Sequence, residues 1–131
     1  MDNEFKIEII SPEKIIFSSD VSMVTIPSYE GDMSILKNHI SIITFLRPGI
    51  IKVKKKDDNF VEFFAQDGTI EFNDNNMIIL SSSAIDVKDL SKDMIEDLNL
   101  SAQKKLDQKD ITDHDRYILN HKLEILKSIR I

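Results

Sequence analysis

Three histidines and one run of lysines are the residues best placed to do chemistry. His114 and His121 stand seven apart, which puts them on one face of a helix but two turns from each other. Two imidazoles so separated hold a metal only if a third ligand reaches between them, and the spacing reads instead as a surface pair without a role. His39 lies among Lys37, Asn38 and Ser41, with no G-x-S-x-G elbow to supply a nucleophile, so it reads as a loop or interface residue. The chain has no cysteine, which removes thiolate ligands, thiol nucleophiles and disulfides together. Its three glycines, Gly31, Gly49 and Gly68, are too scattered to form a phosphate-cradling loop. Lys52 and Lys54 to Lys56 invite a nucleic-acid reading, but they run straight into Asp57 and Asp58. With a net charge of −6, that run is better read as a solvated hairpin tip than as a polyanion site. No catalytic residue, cofactor site or metal site is expected.

The elements that would position these residues fall into two halves. All three glycines, all three prolines and all seven phenylalanines lie at or before Phe72. Turn formers and aromatics favour strands and hairpins, and their absence afterwards permits long helices. The first half alternates with period two, as in Phe5-Lys6-Ile7-Glu8-Ile9. Further strands are expected at Ile15 to Phe17, Val21 to Ile26, Gly31 to Leu36, Ile40 to Leu46, Ile50 to Val53, Phe60 to Ala65, Ile70 to Phe72 and Met77 to Leu80. Nine or ten short strands at close spacing predict an antiparallel β-sandwich or barrel.

From residue 85 the period becomes helical. Leu90, Met94, Leu98, Ala102 and Leu106 form one stripe, with Asp86 as its expected N-cap and Asp89 in support. After a polar link at Asp107 to Ile111, Thr112 is placed to cap a second helix, with Asp115 at the capping-box position. Leu119, Leu123 and Leu126 form the second stripe, and a link this short makes the pair an antiparallel hairpin. The division expected is a β-sandwich over 1–84 and a helical hairpin over 85–131. Two helices closed on each other leave the flanks of their stripes wet, so the hairpin must dock on the sandwich, on a partner, or on each in turn.

The 131 residues suffice for such a domain and appendage. The longest apolar stretches fall far short of the roughly 20 residues that span a bilayer. Asp2 and Glu4 give the opening residues the wrong sign for a targeting peptide. An intracellular chain with no direct membrane insertion is expected.

An ordered series of motifs resembles the epsilon subunits of bacterial F-type ATP synthases, the counterparts of the mitochondrial delta subunit. The series is Ile9-Ile10-Ser11-Pro12-Glu13, Val21 to Pro27, Glu30-Gly31-Asp32-Met33-Ser34-Ile35-Leu36, His39-Ile40-Ser41 and Leu46-Arg47-Pro48-Gly49, with Ile78 to Asp86 at the junction. It covers essentially the whole chain. Lys37-Asn38 stands where the family usually has Pro-Gly, and Asn tolerates the left-handed backbone such a turn needs. Ser34 and Asp67 stand where Gly is common.

The resemblance implies a non-catalytic rotor subunit that couples the gamma subunit to the c-ring of the proton-translocating synthase. It would be peripheral on the cytoplasmic side of the inner membrane. Glu30, Gly31, Asp32 and His39 would then face the ring. The hairpin would fold on the sandwich or extend along gamma toward the catalytic alpha and beta subunits and inhibit hydrolysis. Some relatives bind ATP through I-D-x-x-R-A; Ile85 and Asp86 keep the first pair, but Asp89 replaces the arginine and reverses the charge offered to phosphate, so weak or absent binding is expected. The competing class is a free-standing β-sandwich module that binds a ligand or peptide and docks through its hairpin.

Overall fold

The computed structural model describes residues 3–129. Nine strands come first: β1 (Phe5–Ile10), β2 (Ile15–Ser28), β3 (Gly31–Leu36), β4 (Ile42–Phe45), β5 (Gly49–Lys55), β6 (Phe60–Ala65), β7 (Thr69–Asn73), β8 (Asn76–Leu80) and β9 (Ile85–Asp86). A 3-10 turn at Val87–Asp89 leads to α1 (Lys92–Leu106) and α2 (Asp113–Ser128). The sandwich-plus-hairpin architecture is thus the one the sequence predicts.

The hydrogen-bonded order is β4-β7-β8-β1-β2-β5-β6-β9, with β3 also paired to β2. The two layers are joined by β2, whose first part runs beside β1 while its second part lies between β3 and β5. The alternation sends Phe5, Ile7 and Ile9 of β1 inward, to meet Val24 and Ile26 of β2, Ile51 and Val53 of β5, and Phe72, Met77 and Ile79 of β7 and β8. Phe5 meets Phe72 edge-on at 5.4 Å, a favourable quadrupole geometry.

Several expectations need correction. The separate strands at Ile15 to Phe17 and Val21 to Ile26 are one 14-residue strand. Ser18-Ser19-Asp20 looks like a turn, yet these residues pair with Glu8, Ile7 and Lys6, and the ladder carries the chain through. The needed bend is absorbed by an irregularity between Val21 and Met23, where the Ser22 hydroxyl donates to the Lys54 carbonyl at 3.2 Å. The purely antiparallel order also fails at one seam, because β1 pairs with β8 in parallel. Short hairpin links dictate the direction of sequential neighbours only, and β1 and β8 are far apart in the chain.

The sheet continues past Ala84, since Ile85 and Asp86 pair with Phe64 and Phe63 of β6. Asp86 therefore caps the 3-10 turn, accepting from the Lys88 amide at 2.9 Å, and does not cap α1. Ser91 takes that place, accepting from the Met94 amide at 3.1 Å. The spacing of four from Leu90 onward hid this boundary, because Leu90 is buried on the sandwich before the helix begins. Thr112 caps α2 as expected, accepting from the Asp115 amide at 3.0 Å.

The hairpin lies folded on the sandwich. Along β5 and β6, Ile51 and Phe63 face the main core, while Ile50 and Phe64 point outward under the helices. Phe64, Leu90 and Leu126 are buried together there, flanked by Ile95, Leu98, Ile125 and Ile129.

Candidate functional site

Two turns carry the residues that the resemblance placed on one surface. The first joins β2 to β3. Buried Ser28 organises it: its hydroxyl donates to the Gly31 carbonyl at 2.7 Å and accepts from the Glu30 amide at 3.3 Å. Gly31 closes the turn at φ +118°, a conformation that side chains with a Cβ rarely adopt. Glu30 and Asp32 are left facing solvent, Asp32 with 72% of its side chain exposed.

The second turn joins β3 to β4. Asn38 adopts φ 68°, the left-handed backbone expected where relatives have glycine. Its amide donates to the Asn75 side chain at 2.7 Å, and the Asn75 amide group returns a bond at 3.1 Å. His39 Nδ1 is 2.7 Å from its neighbour's carbonyl at Ile40, and its ring meets Phe72 edge-on. These contacts make His39 a positioned turn residue.

The structure separates the two turns. They lie at opposite ends of β3, which at ~3.3 Å per residue puts them roughly 17 Å apart. Glu30, Gly31 and Asp32 form one cluster, and His39 belongs to another end of the sandwich. Between them runs β4, an edge strand, with Ile43 76% exposed, Phe45 exposed, and Ile40 just before it 79% exposed. Its outer edge is tied to the end of β2 at one point, where the Tyr29 amide donates to the Phe45 carbonyl at 3.4 Å and Ser28 bridges Leu46; exposed apolar side chains on such a strand are normally covered or blunted by charge.

Beside the first turn, the hairpin meets the sandwich through Arg47. Its Nη2 lies 3.7 Å from the Asp32 carboxylate, and its Nη1 donates to the Tyr117 hydroxyl of α2 at 3.1 Å. Tyr117 in turn stacks on His121, and Tyr29 of the turn meets His114 edge-on at 5.9 Å. The two histidines read as an idle surface pair thus engage different tyrosines at the seam between hairpin and sandwich. Burial, with the Arg47 charge second, pushes the His121 pKa below its ordinary value; Glu124 and Asp32 oppose this. Also on α2, buried Lys122 is pushed below its ordinary value by desolvation and then by Lys105 of α1.

Ile85 and Asp86 line an open groove of about 600 Å³ with Phe17, Phe63, Lys55 and Lys88. The Asp86 carboxylate is committed to the Lys88 amide and lies 4.0 Å from the Lys88 ammonium. Among the described residues no arginine lines the groove. Arg116 sits at the far start of α2, and Arg130 lies outside the described residues. Among the described residues no cluster of three metal-ligating side chains occurs.

Sequence reasoning missed Arg47, Tyr29, Tyr117 and Ile43. Arg47 carried a usable signal, as the one arginine of the β half sitting in a quoted motif. The tyrosines carried none, because the contacts that tie hairpin to sandwich, Tyr117 with Arg47 and Tyr29 with His114, join residues distant in sequence.

A sandwich with an uncovered apolar edge and an appended, docked hairpin is the build of an assembly component. Residues 4–87 match the family model described as ATP synthase, Delta/Epsilon chain, beta-sandwich domain. The chain is 46% identical over 132 residues to the ATP synthase epsilon chain of Pelagibacter ubique, covering 98% of this chain and 99% of that one. It is 30% identical to the epsilon chain of Parvibaculum lavamentivorans, covering 99% and 98%. This chain belongs to the ATP synthase epsilon chain family. The fold is also similar to a chain in the Euglena gracilis mitochondrial ATP synthase (OSCP/F1/c-ring), with TM-score 0.75, 20% identity and coverage of 97% and 79%. A second likeness is to a chain of the Tetrahymena thermophila mitochondrial ATP synthase central stalk and c-ring, with TM-score 0.68, 19% identity and coverage of 94% and 93%. No described helix is long and apolar enough to cross a membrane.

Proposed function

We propose that this chain is a non-catalytic rotor subunit of a proton-translocating ATP synthase, joining the gamma subunit to the c-ring on the cytoplasmic side of the inner membrane. The uncovered apolar strip of Ile40, Ile43 and Phe45 carries this reading. Burying such a strip against gamma stabilises a permanent interface, at about 25 cal/mol per Å² of apolar surface. The exposed acidic turn of Glu30, Gly31 and Asp32 suits polar loops of the ring, and His39, at the other end of β3, suits the gamma side. The hairpin joins the sandwich through a small seam, so it can exchange that seam for gamma and the alpha and beta subunits, and there obstruct hydrolysis. Asp89 and the committed Asp86 favour weak or absent ATP binding.

Calorimetric titration of the chain into purified gamma tests the reading. One-to-one binding with a negative heat-capacity change, weakened at least tenfold by Ile43→Glu, is expected. No binding to folded gamma would sink it and favour the free-standing module instead. Removing residues 91–131 is expected to raise hydrolysis by the catalytic complex, and unchanged hydrolysis would remove the inhibitory role alone.

A further inference from the structure

The seam between hairpin and sandwich has two layers of different chemistry. Around Phe64, Leu90 and Leu126 it is apolar and indifferent to pH. Along the first half of α2 it is a chain of polar and aromatic contacts, Asp32 to Arg47 to Tyr117 to His121. His121 is the member of this chain whose charge changes near neutrality.

We propose that the Arg47–Tyr117–His121 contact is an acid-released latch: a proton on His121 weakens the docking of α2 on the sandwich. The charged groups that act on His121 are Arg47 from the β4–β5 loop, Asp32 from β3 and Glu124 from its own helix. Arg47 is largely buried while Asp32 is mostly exposed, so the repulsion is screened less than the attraction. The Arg47 guanidinium is held on the Tyr117 hydroxyl, and Tyr117 stacks on the imidazole, so a protonated His121 places a second positive charge in the field of a cation that the sandwich holds in place. Undocking relieves it by returning His121 to water.

The sign follows from linkage. His121 binds its proton less readily than an unperturbed histidine, and the Arg47 charge that contributes to this belongs to the sandwich and is left behind on undocking. Docking is therefore strongest above the ordinary histidine pKa and weakens as pH falls through that value toward the depressed one. The latch is a property of the chain alone and stands or falls separately from the rotor reading.

Hydrogen exchange of the full chain, corrected for intrinsic rates, tests the latch at pH 7.5 and 5.5. Amides 123–126 are expected to lose protection several-fold at the lower pH while those of β1 and β5 keep theirs. His121→Phe, which preserves a ring against Tyr117, should abolish the response, and His39→Gln, at the far end of β3, should retain it. Equal protection at both pH values, an unchanged response in H121F, or its loss in H39Q would overturn the latch. Should H121F fail to dock, an NMR titration of the His121 ring in the unmodified chain decides. A midpoint below the ordinary histidine value, coincident with the loss of protection, supports the latch; one at or above that value overturns it.

Discussion

The sandwich and the hairpin use the same apolar residue types to opposite ends. In the sandwich, strands from both layers interlock around Ile7, Ile26, Ile51, Phe72 and Ile79, all fully buried. At the hairpin seam, among the described residues, the buried apolar cluster is Phe64, Leu90 and Leu126, within a rim of half-exposed side chains. The hairpin also carries a buried lysine and a partly buried histidine, both pushed toward their neutral forms. A core of the first kind is lost only by unfolding, whereas a contact of the second kind can be exchanged for another surface. Local opening free energies differ between such regions of one protein.

The largest expected effect breaks the sandwich. Phe72→Ala removes a buried ring from the centre of β7, together with its contacts to Phe5 and His39, and should cost about 3–5 kcal/mol of global stability. Denaturant unfolding with equal m-value checks this. Leu126→Ala tests the other side of the comparison. It should cost about 3 kcal/mol, but of docking, so exchange of α2 amides accelerates while the unfolding midpoint of the β-sheet moves little. A matched loss in both readouts would mean that the two regions form one cooperative unit.

How much of this was legible in sequence follows the same division. Period-two alternation and turn residues located most sandwich strands, because each strand buries one face and its neighbours are near in sequence. Asn38 was legible too, since the turn demanded a left-handed residue and the sequence offered one of the few that tolerate it. The parallel pairing of β1 with β8 and the continuity of β2 were not, because both are decided by partners far along the chain. The start of α1 was misplaced for a related reason: Leu90 has helical spacing but is held on Phe64. Of the candidate site, Glu30, Gly31, Asp32 and His39 were named, but their separation along β3 required the register, and Arg47 gained its importance from Tyr117, 70 residues away.

A smaller effect is expected at Lys122, and with the opposite sign. Only 8% of its surface is exposed, and Lys105 of α1 adds a like charge nearby. Lys122→Met keeps the length of the chain while removing a desolvated ammonium, and should tighten the hairpin by about 1 kcal/mol. The lysine also gives an alkaline counterpart to the histidine. Its proton is bound less readily in the packed hairpin than in water, so the packing should strengthen as pH rises through the depressed lysine pKa toward the ordinary one. Lys122→Met should lose that alkaline gain while keeping any response below pH 7, and amide exchange of α2 between pH 8 and 10 reads it. A variant less protected than the parent would show that the ammonium has a partner that stabilises it.

The smallest expected effect concerns the start of α2, and it asks whether the hairpin owes its order to docking or to its own helices. Thr112 accepts from the Asp115 amide at 3.0 Å, with Asp113 and Asp115 in the positive first turn of the helix. Thr112→Ala removes one cap acceptor and should cost about 1 kcal/mol. If docking supplies the order, only the first turn frays, because Leu126 and Ile125 hold the other end of α2 to Phe64. Exchange should then rise at amides 114–117, and the Arg47–Tyr117 bond should weaken with them, while 123–126 stay protected. Uniform loss along α2 would mean that the helix opens as one body and that the seam holds it only while it is already formed. Fraying confined to the first turn would place the weak point of the whole molecule where Tyr117 and His114 touch the sandwich.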